Sequence, residues 1–315
     1  MLSGLALALL MAAGVALDWM LGEPRKWHPL VGFGRMANAI ERRLNRGRAR
    51  RLAGVLAWML AVLPLVGFSA WMIALASAWH PFAGLAIHTV LLYFCIGLRS
   101  LRDHMLPIAR ALRSGNVEQA RALTSRIVTR DTRHSGEPEL AKAAVESLLE
   151  NGNDAIFGTL FWFAVAGGPG ALLFRLANTL DAMWGYRNAR FHAFGWMAAR
   201  SDDVLNWIPA RLTALSYALL GDTRSAMRCW RTQAAAWSSP NAGPVMSAGA
   251  GALRLALGGA AEYDGVHEQR PPLGAGSQAG AADIDRAWAL VARTCVGWLA
   301  VVSVCAIFIE RMAHA

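Results

Sequence analysis

Between Arg130 and Thr213 the sequence concentrates residues that could bind metal and phosphate. Glu146, Glu150 and Asp154 fall at i, i+4 and i+8, which on a helix lines three carboxylates along one stripe. Oxygen ligands few in number, completed by water and phosphate, are what Mg²⁺ takes. A solvated helix face has the same spacing, and Asn151 and Asn153 beside the stripe weigh toward a site. Arg130-Asp131-Thr132 offers a guanidinium fork and a hydroxyl to phosphate oxygens, although helix-ending turns favour the same residue types. Asn178 and Asp181 share a helical face and are followed by Tyr186 and Arg187. Their bland alternative is hydrogen bonding between helices. Asp202, Asp203 and Asn206 open an apolar run, where acids complement a helix dipole. Arg211 lies inside that run and calls for an acidic partner such as Asp181 or Asp203.

These groups sit among segments hydrophobic enough for a bilayer, where charges are costly and mark sites. Of 315 residues, 55% are hydrophobic and only 17% charged, against about 25% charged in soluble domains. The fold class expected is therefore all-α: a polytopic integral membrane protein with about 5 transmembrane or re-entrant helices. Net charge is +10, almost all of it from arginine; Lys26 and Lys142 are the only lysines. The arginines flank apolar runs, which fits membrane topology and anionic lipid rather than nucleic acid, for which no recognition motif is present. Cys95, Cys229, Cys295 and Cys305 lack metal or redox spacing. No Gly-Lys-Ser/Thr phosphate loop occurs, so any nucleotide is bound by other means.

The elements that must position these residues follow from the hydropathy. Apolar segments cover about 2–21, 52–79, 82–98, 155–174, 204–220 and 294–309. The first has no Lys or Arg ahead of it and reads as a retained helix, not a cleaved signal. Six arginines between Glu41 and Arg51 make a strong positive-inside signal. That loop, and the main loops generally, are expected on the cytoplasmic side of the inner (plasma) membrane. Residues 99–154 read as a cytoplasmic helical region, with Asn116 before one helix and Glu137-Pro138 starting another. Segment 155–174 poses a conflict: a simple span puts Arg175, Arg187, Arg190 and Arg200 outside. Its Gly167-Gly168-Pro169-Gly170 break suggests a re-entrant helix instead. Residues 258–284, rich in Gly, Ala and Pro, are expected to be a flexible loop.

In their order these motifs resemble one family. The residues that carry the likeness are Leu17-Asp18 with Gly22-Glu23-Pro24 and His28-Pro29; Gly32 with Gly34-Arg35; Arg130-Asp131-Thr132; Ala144-Val145-Glu146-Ser147 with Glu150-Asn151 and Asp154; Asn178-Thr179-Leu180-Asp181 with Tyr186; Asp202-Asp203 with Asn206 and Pro209-Ala210-Arg211; and Ser239-Pro240-Asn241-Ala242-Gly243. The set is similar to the CbiB/CobD family of cobalamin-biosynthesis membrane proteins, the adenosylcobinamide-phosphate synthases, from residue 17 to about 275. Glu23 departs from the family's Gly-Asp-Pro, and Gly152 and Ala155 from its Thr and Asp-Gly.

The resemblance implies an ATP-dependent amide-forming ligase. A carboxylate of adenosylcobyric acid is joined to the amine of (R)-1-aminopropan-2-ol phosphate, with ATP and Mg²⁺ as cofactors. Under it, Glu146, Glu150 and Asp154 are the expected Mg²⁺ ligands, and Glu150 also acts in catalysis. Arg130, Arg187 and Arg211 are expected to meet phosphate, and Asp181 or Asp203 to orient or deprotonate the amine. Arg35, Asp131, Thr132, Asn151, Asn178, Tyr186, Asn206 and Asn241 complete the expected substrate contacts. The implied partners are the corrinoid substrate, aminopropanol phosphate and membrane lipid, with room for other cobalamin-pathway membrane enzymes. The rival readings are a non-catalytic membrane signalling or regulatory protein of the AmpE type and a small transporter. The full set of carboxylates and amides argues against the first, and the large polar loops against the second.

Overall fold

A computed structural model describes residues 2–24, 28–128, 130–263 and 266–313. Helices dominate: α1 (Gly4–Leu21), α2 (Pro29–Leu44), α3 (Arg50–Trp79), α4 (Pro81–Cys95), α5 (Leu98–Arg113), α6 (Val117–Thr124) and α7 (Glu137–Gly152) precede a π-turn at Asn153–Phe157. Then come α8 (Gly158–Trp184), α9 (Trp196–Leu205), α10 (Trp207–Leu220), α11 (Thr223–Gln233) and α12 (Ala242–Leu253). Strands β1 (Leu255–Tyr263), β2 (Val266–Leu273) and β3 (Ser277–Gln278) lead into α13 (Ala281–Ala313). Among the described residues, five helical stretches are long and apolar enough to cross a membrane. The protein is a polytopic α-helical membrane protein. Segment 204–220 is not one of the five. Its helix α10 has 14 residues, about 21 Å at 1.5 Å per residue, too short for about 30 Å of hydrocarbon.

The chain forms two compact units. The first takes in the described residues of Met1–Leu98, Gly158–Asn206 and Leu299–Ala315. Its core joins Phe33 and Ala37 of α2, Ala57, Trp58, Ala61 and Val62 of α3, Leu176, Leu180 and Trp184 of α8, and Phe194 and Ala198 around α9. Alanines at the contacts let the backbones approach closely. His28 caps α2 by accepting the Leu30 N–H at 3.2 Å.

Helix α8 is not a straight span. Ala166 and Gly167 leave helical geometry, Gly167 at φ 63° and ψ −150°, a conformation open to glycine. A Cβ placed on Gly158 would lie 2.1 Å from the Phe174 ring, and one on Gly170 would lie 2.2 Å from the Trp162 carbonyl oxygen. In a straight helix, residues 158 and 174 would stand about 24 Å apart. The segment therefore folds back on itself as a tight helical hairpin. His88 of α4 accepts the Gly168 N–H at 2.9 Å, capping its tip. Such a hairpin removes the charge conflict over residues 175–203. Arg190 grips Glu41 with hydrogen bonds of 3.0 and 2.7 Å, and Asn45 donates to the Arg190 carbonyl at 3.1 Å. Arg50 donates to the Ala189 carbonyl at 3.2 Å. The loop after α8 thus lies beside the arginine-rich α2–α3 connection, on the same side.

The second unit takes in Arg99–Phe157 and Trp207–Trp298. Every residue of α12 is buried, so this small-residue helix is its axis. Gly249 lies against Leu149 of α7 and Gly251 against Ala226 of α11, where no Cβ would fit. Residues 258–284, expected as a loop, instead hold most of a three-stranded sheet of order β2-β1-β3 and the start of α13. β1 pairs antiparallel with β2 and parallel with β3. The glycines misled the expectation: Gly258 and Gly259, at φ 72° and 70°, form a bulge inside β1.

Candidate functional site

In the second unit, Glu146 of α7 is the hub. Its side chain is 7% exposed. It accepts from Arg130 Nη2 at 3.1 Å, from Arg270 Nη1 and Nη2 at 3.0 and 3.2 Å, and from the Gly258 N–H at 2.7 Å. The β1 bulge turns that N–H toward α7. Lys142, one turn before Glu146, donates to the Gly258 carbonyl at 3.0 Å and the Ala260 carbonyl at 3.4 Å. Two buried guanidinia thus share one carboxylate, and the sheet is tied to α7 by charge-assisted bonds.

Beside this hub lies a cavity of about 380 Å³, lined among others by Arg130, Thr132, His134, Glu139 and Lys142. Thr132 donates to the Arg121 carbonyl at 3.2 Å. Asp131 forks onto Arg133, with bonds of 2.5 to 3.1 Å, and Arg133 holds its carboxyl down at about 2. It is therefore an anion at any working pH and not a proton carrier. Arg130 and Lys142 are donors of the kind a phosphate ester takes, and Asp131 and Glu139 share the lining with them.

The expected carboxylate stripe does not form a single metal cage. Glu146 is taken up by four donor contacts, so it does not fit a Mg²⁺ ligand. Among the described residues no three His, Cys, Asp or Glu side chains converge as a metal group. The π-turn is the physical reason for part of this, because its wider turn moves Asp154 off the α-helical register. Asn153, buried, accepts from Thr213 at 2.9 Å and donates to Asp154 at 3.0 Å. Asn151 donates back to Ser147, at 2.8 and 3.0 Å. Glu150 and Asp154 remain half-buried carboxylates one turn apart.

Arg211 does not take the carboxylate partner expected for it. It donates to Asn241 Oδ1 at 3.0 Å, to the Pro240 carbonyl at 3.2 Å and to the Trp207 carbonyl at 2.8 Å, and stacks on the Trp207 ring at 4.3 Å. Burial lowers its pKa. Ser239 Oγ accepts the Asn241 and Ala242 N–H groups and so starts α12.

The first unit holds a second constellation. Asn178 donates to Asp202 Oδ1 at 3.2 Å, and Asn206 to Asp202 Oδ2 at 3.5 Å. Asn206 is buried. Asp203 faces Arg200 at 3.5 Å. Its pKa is raised by burial, against the lowering pull of Arg200 and Arg187. Asp181 stands where α8 ends, its carbonyl accepting the Gly185 N–H at 2.7 Å. Tyr186 and Arg187 are exposed just beyond, and Arg35 is exposed on α2. Asn178 thus meets Asp202, not the Asp181 with which it shares a face.

A family model described as CobD/Cbib protein matches residues 11–291. The chain belongs to the CobD/Cbib family. It is 56% identical over 287 residues to a cobalamin biosynthesis protein CobD of Stutzerimonas stutzeri, covering 90% of this chain and 93% of the relative. It is 50% identical over 309 residues to one of Chromobacterium violaceum, with 96% and 97% covered. With one of Clostridium perfringens it shares 34% over 269 residues, covering 83% and 85%. No solved structure matches the chain. Within this CobD/Cbib chain the sequence reading missed Lys142 and Arg270 as site residues. Lys142 had a signal, being one of two lysines and four residues before Glu146. Arg270 had none, since its partner is 124 residues away.

Proposed function

We propose that this protein acts in cobalamin biosynthesis and forms the amide bond between adenosylcobyric acid and (R)-1-aminopropan-2-ol phosphate, giving adenosylcobinamide phosphate. Family membership supports the pathway, and the named relatives are cobalamin biosynthesis proteins. The observation that carries the reaction is the cavity in which Arg130, Lys142 and the Thr132 hydroxyl stand together, with Asp131 and Glu139 in the same lining, donors of the kind a phosphorylated substrate takes.

Amide formation has two requirements. A carboxylate must lose an oxygen, which water at neutral pH does not bring about, and an amine must lose a proton as it attacks. ATP would activate the carboxylate by phosphorylation, so that its oxygen departs as phosphate when the amine attacks, and Glu150 and Asp154 would hold the Mg²⁺ that accompanies ATP. Arg130 and Lys142 bind the phosphate of the amine substrate. In the first unit, Asp203 is the candidate base for an amine proton, its burial favouring uptake. Asp181 is the alternative base. Asp202, positioned by Asn178 and Asn206, fixes the geometry around them. Arg187 and Arg211 offset charge at their own positions. The arginine-rich α2–α3 connection faces the cytoplasm under the positive-inside rule.

The test is direct. Detergent-purified protein is incubated with adenosylcobyric acid, aminopropanol phosphate, ATP and Mg²⁺, and the corrinoid is followed by mass spectrometry. Appearance of the phosphorylated cobinamide with consumption of ATP is expected. No product from folded protein, with the amine donor varied, overturns the ligase reading in favour of a non-catalytic relative.

A further inference from the structure

The first unit contains a second cavity, of about 510 Å³, with a different chemistry. Its walls are Leu30 and Phe33 of α2, Leu65 and Phe68 of α3, Leu91 of α4 and Leu172 of α8, among others. The hydroxyl in the lining, Ser69, donates to its own helix at the Val66 carbonyl, 2.7 Å away. A polar substrate would find nothing there to satisfy its hydrogen bonds. From Ile87 to Cys95 the α4 wall is about 12 Å long, so the crevice is elongated. Phe68 lines it and is 58% exposed, on a helix long enough to cross the bilayer. The crevice therefore opens sideways toward lipid.

A cation stands beside this apolar slot. Arg175 lies on α8 between the lining residues Leu172 and Leu176. The Nε of Arg175 is buried and makes no hydrogen bond among the described residues. A buried guanidinium nitrogen without an acceptor is costly. Basic pockets between transmembrane helices take anionic lipid head groups.

We propose that this crevice holds one acyl chain of an anionic phospholipid whose phosphate meets Arg175. The apolar walls select a hydrocarbon chain, the lateral opening supplies it from the bilayer, and Arg175 selects the charge. The site is independent of the ligase reading and has its own readout.

Native mass spectrometry of the full chain released from nanodiscs tests it, using nanodiscs of dioleoylphosphatidylglycerol or dioleoylphosphatidylcholine. One phosphatidylglycerol is expected to remain per chain, preferred about fivefold over phosphatidylcholine, as one arginine near an anionic head group provides. Arg175→Gln should erase the preference and Arg175→Lys should keep it. A Cβ at Gly32, which lines the crevice, meets nothing within 4 Å, so Gly32→Leu should fill the slot and remove the retained lipid. A thermal shift on adding phosphatidylglycerol, present in the wild type and absent in Gly32→Leu, keeps the test valid if one variant folds poorly. Equal retention of both lipids, retention undiminished by Gly32→Leu, or a lipid-free dimer of the wild type would each overturn the proposal.

Discussion

Arg270 of β2 and Glu146 of α7 meet through two hydrogen bonds, of 3.0 and 3.2 Å, across 124 residues of sequence. Arg130 joins the same carboxylate from a third segment. One buried acid thus fixes both the arginine that lines the cavity and the sheet, and its loss should be felt far from its own helix.

Glu146→Ala should destabilise the protein by about 3–5 kcal/mol, because two buried guanidinia lose their counter-charge. Denaturant unfolding in detergent measures this. An unchanged midpoint would show that the pair is not the tie it is taken to be.

Lys142 spends two of its three N–H donors on the Gly258 and Ala260 carbonyls, leaving one for a ligand in the cavity. Lys142→Gln should raise KM for the phosphorylated amine about 10- to 100-fold, the worth of a charge-assisted hydrogen bond of about 1.5–3 kcal/mol. KM for the corrinoid should change little. Steady-state kinetics with each substrate varied separates the two.

Gly167→Ala places a side chain where φ is 63° and where its Cβ would lie 2.5 Å from His88. The strain should cost about 1–3 kcal/mol and loosen the α8 hairpin, lowering the melting temperature. The hairpin also fixes sidedness. In a chain with Cys305 changed to serine, single cysteines at Arg46 and Asn188 should react with an impermeant maleimide from the same face of the membrane. Labelling from opposite faces would mean that α8 spans the bilayer.

Glu41 has its pKa lowered by its hydrogen bonds from Arg190, against the opposing effect of burial. A depressed carboxylate contributes stability that is present above its unfolded pKa and lost as pH falls through the folded value. Thermal melts at pH 7 and at about pH 4 should therefore show acid destabilisation, and Arg190→Ala should flatten that dependence.

Asp203 offers a pH test of the proposed chemistry. Burial raises its pKa while Arg200 and Arg187 lower it. Removing the nearer cation with Arg200→Ala should raise the pKa further, moving the acidic limb of the kcat/KM profile to higher pH. An unmoved limb would transfer the role of base to Asp181.

Membrane character, helix content and family were legible in the sequence because they rest on local facts: apolar runs of bilayer length, Pro138 at the first turn of α7, Asn116 before a helix, and an ordered set of short motifs. Arg130 and Thr132 beside a common cavity, and Asn178 and Asn206 near Asp202, carry signals of residue type and spacing. Tertiary structure alone decided the rest, because it depends on residues distant in the chain. Glu146 reads as a metal ligand until Arg130 and Arg270 arrive from other segments. Residues 258–284 read as a loop until α7 supplies partners for the Gly258 amide and carbonyl. Segment 155–174 reads equally as a span or a re-entrant helix until Gly158 meets Phe174. Local sequence sets which groups a segment offers, and the fold sets which of those groups are already satisfied.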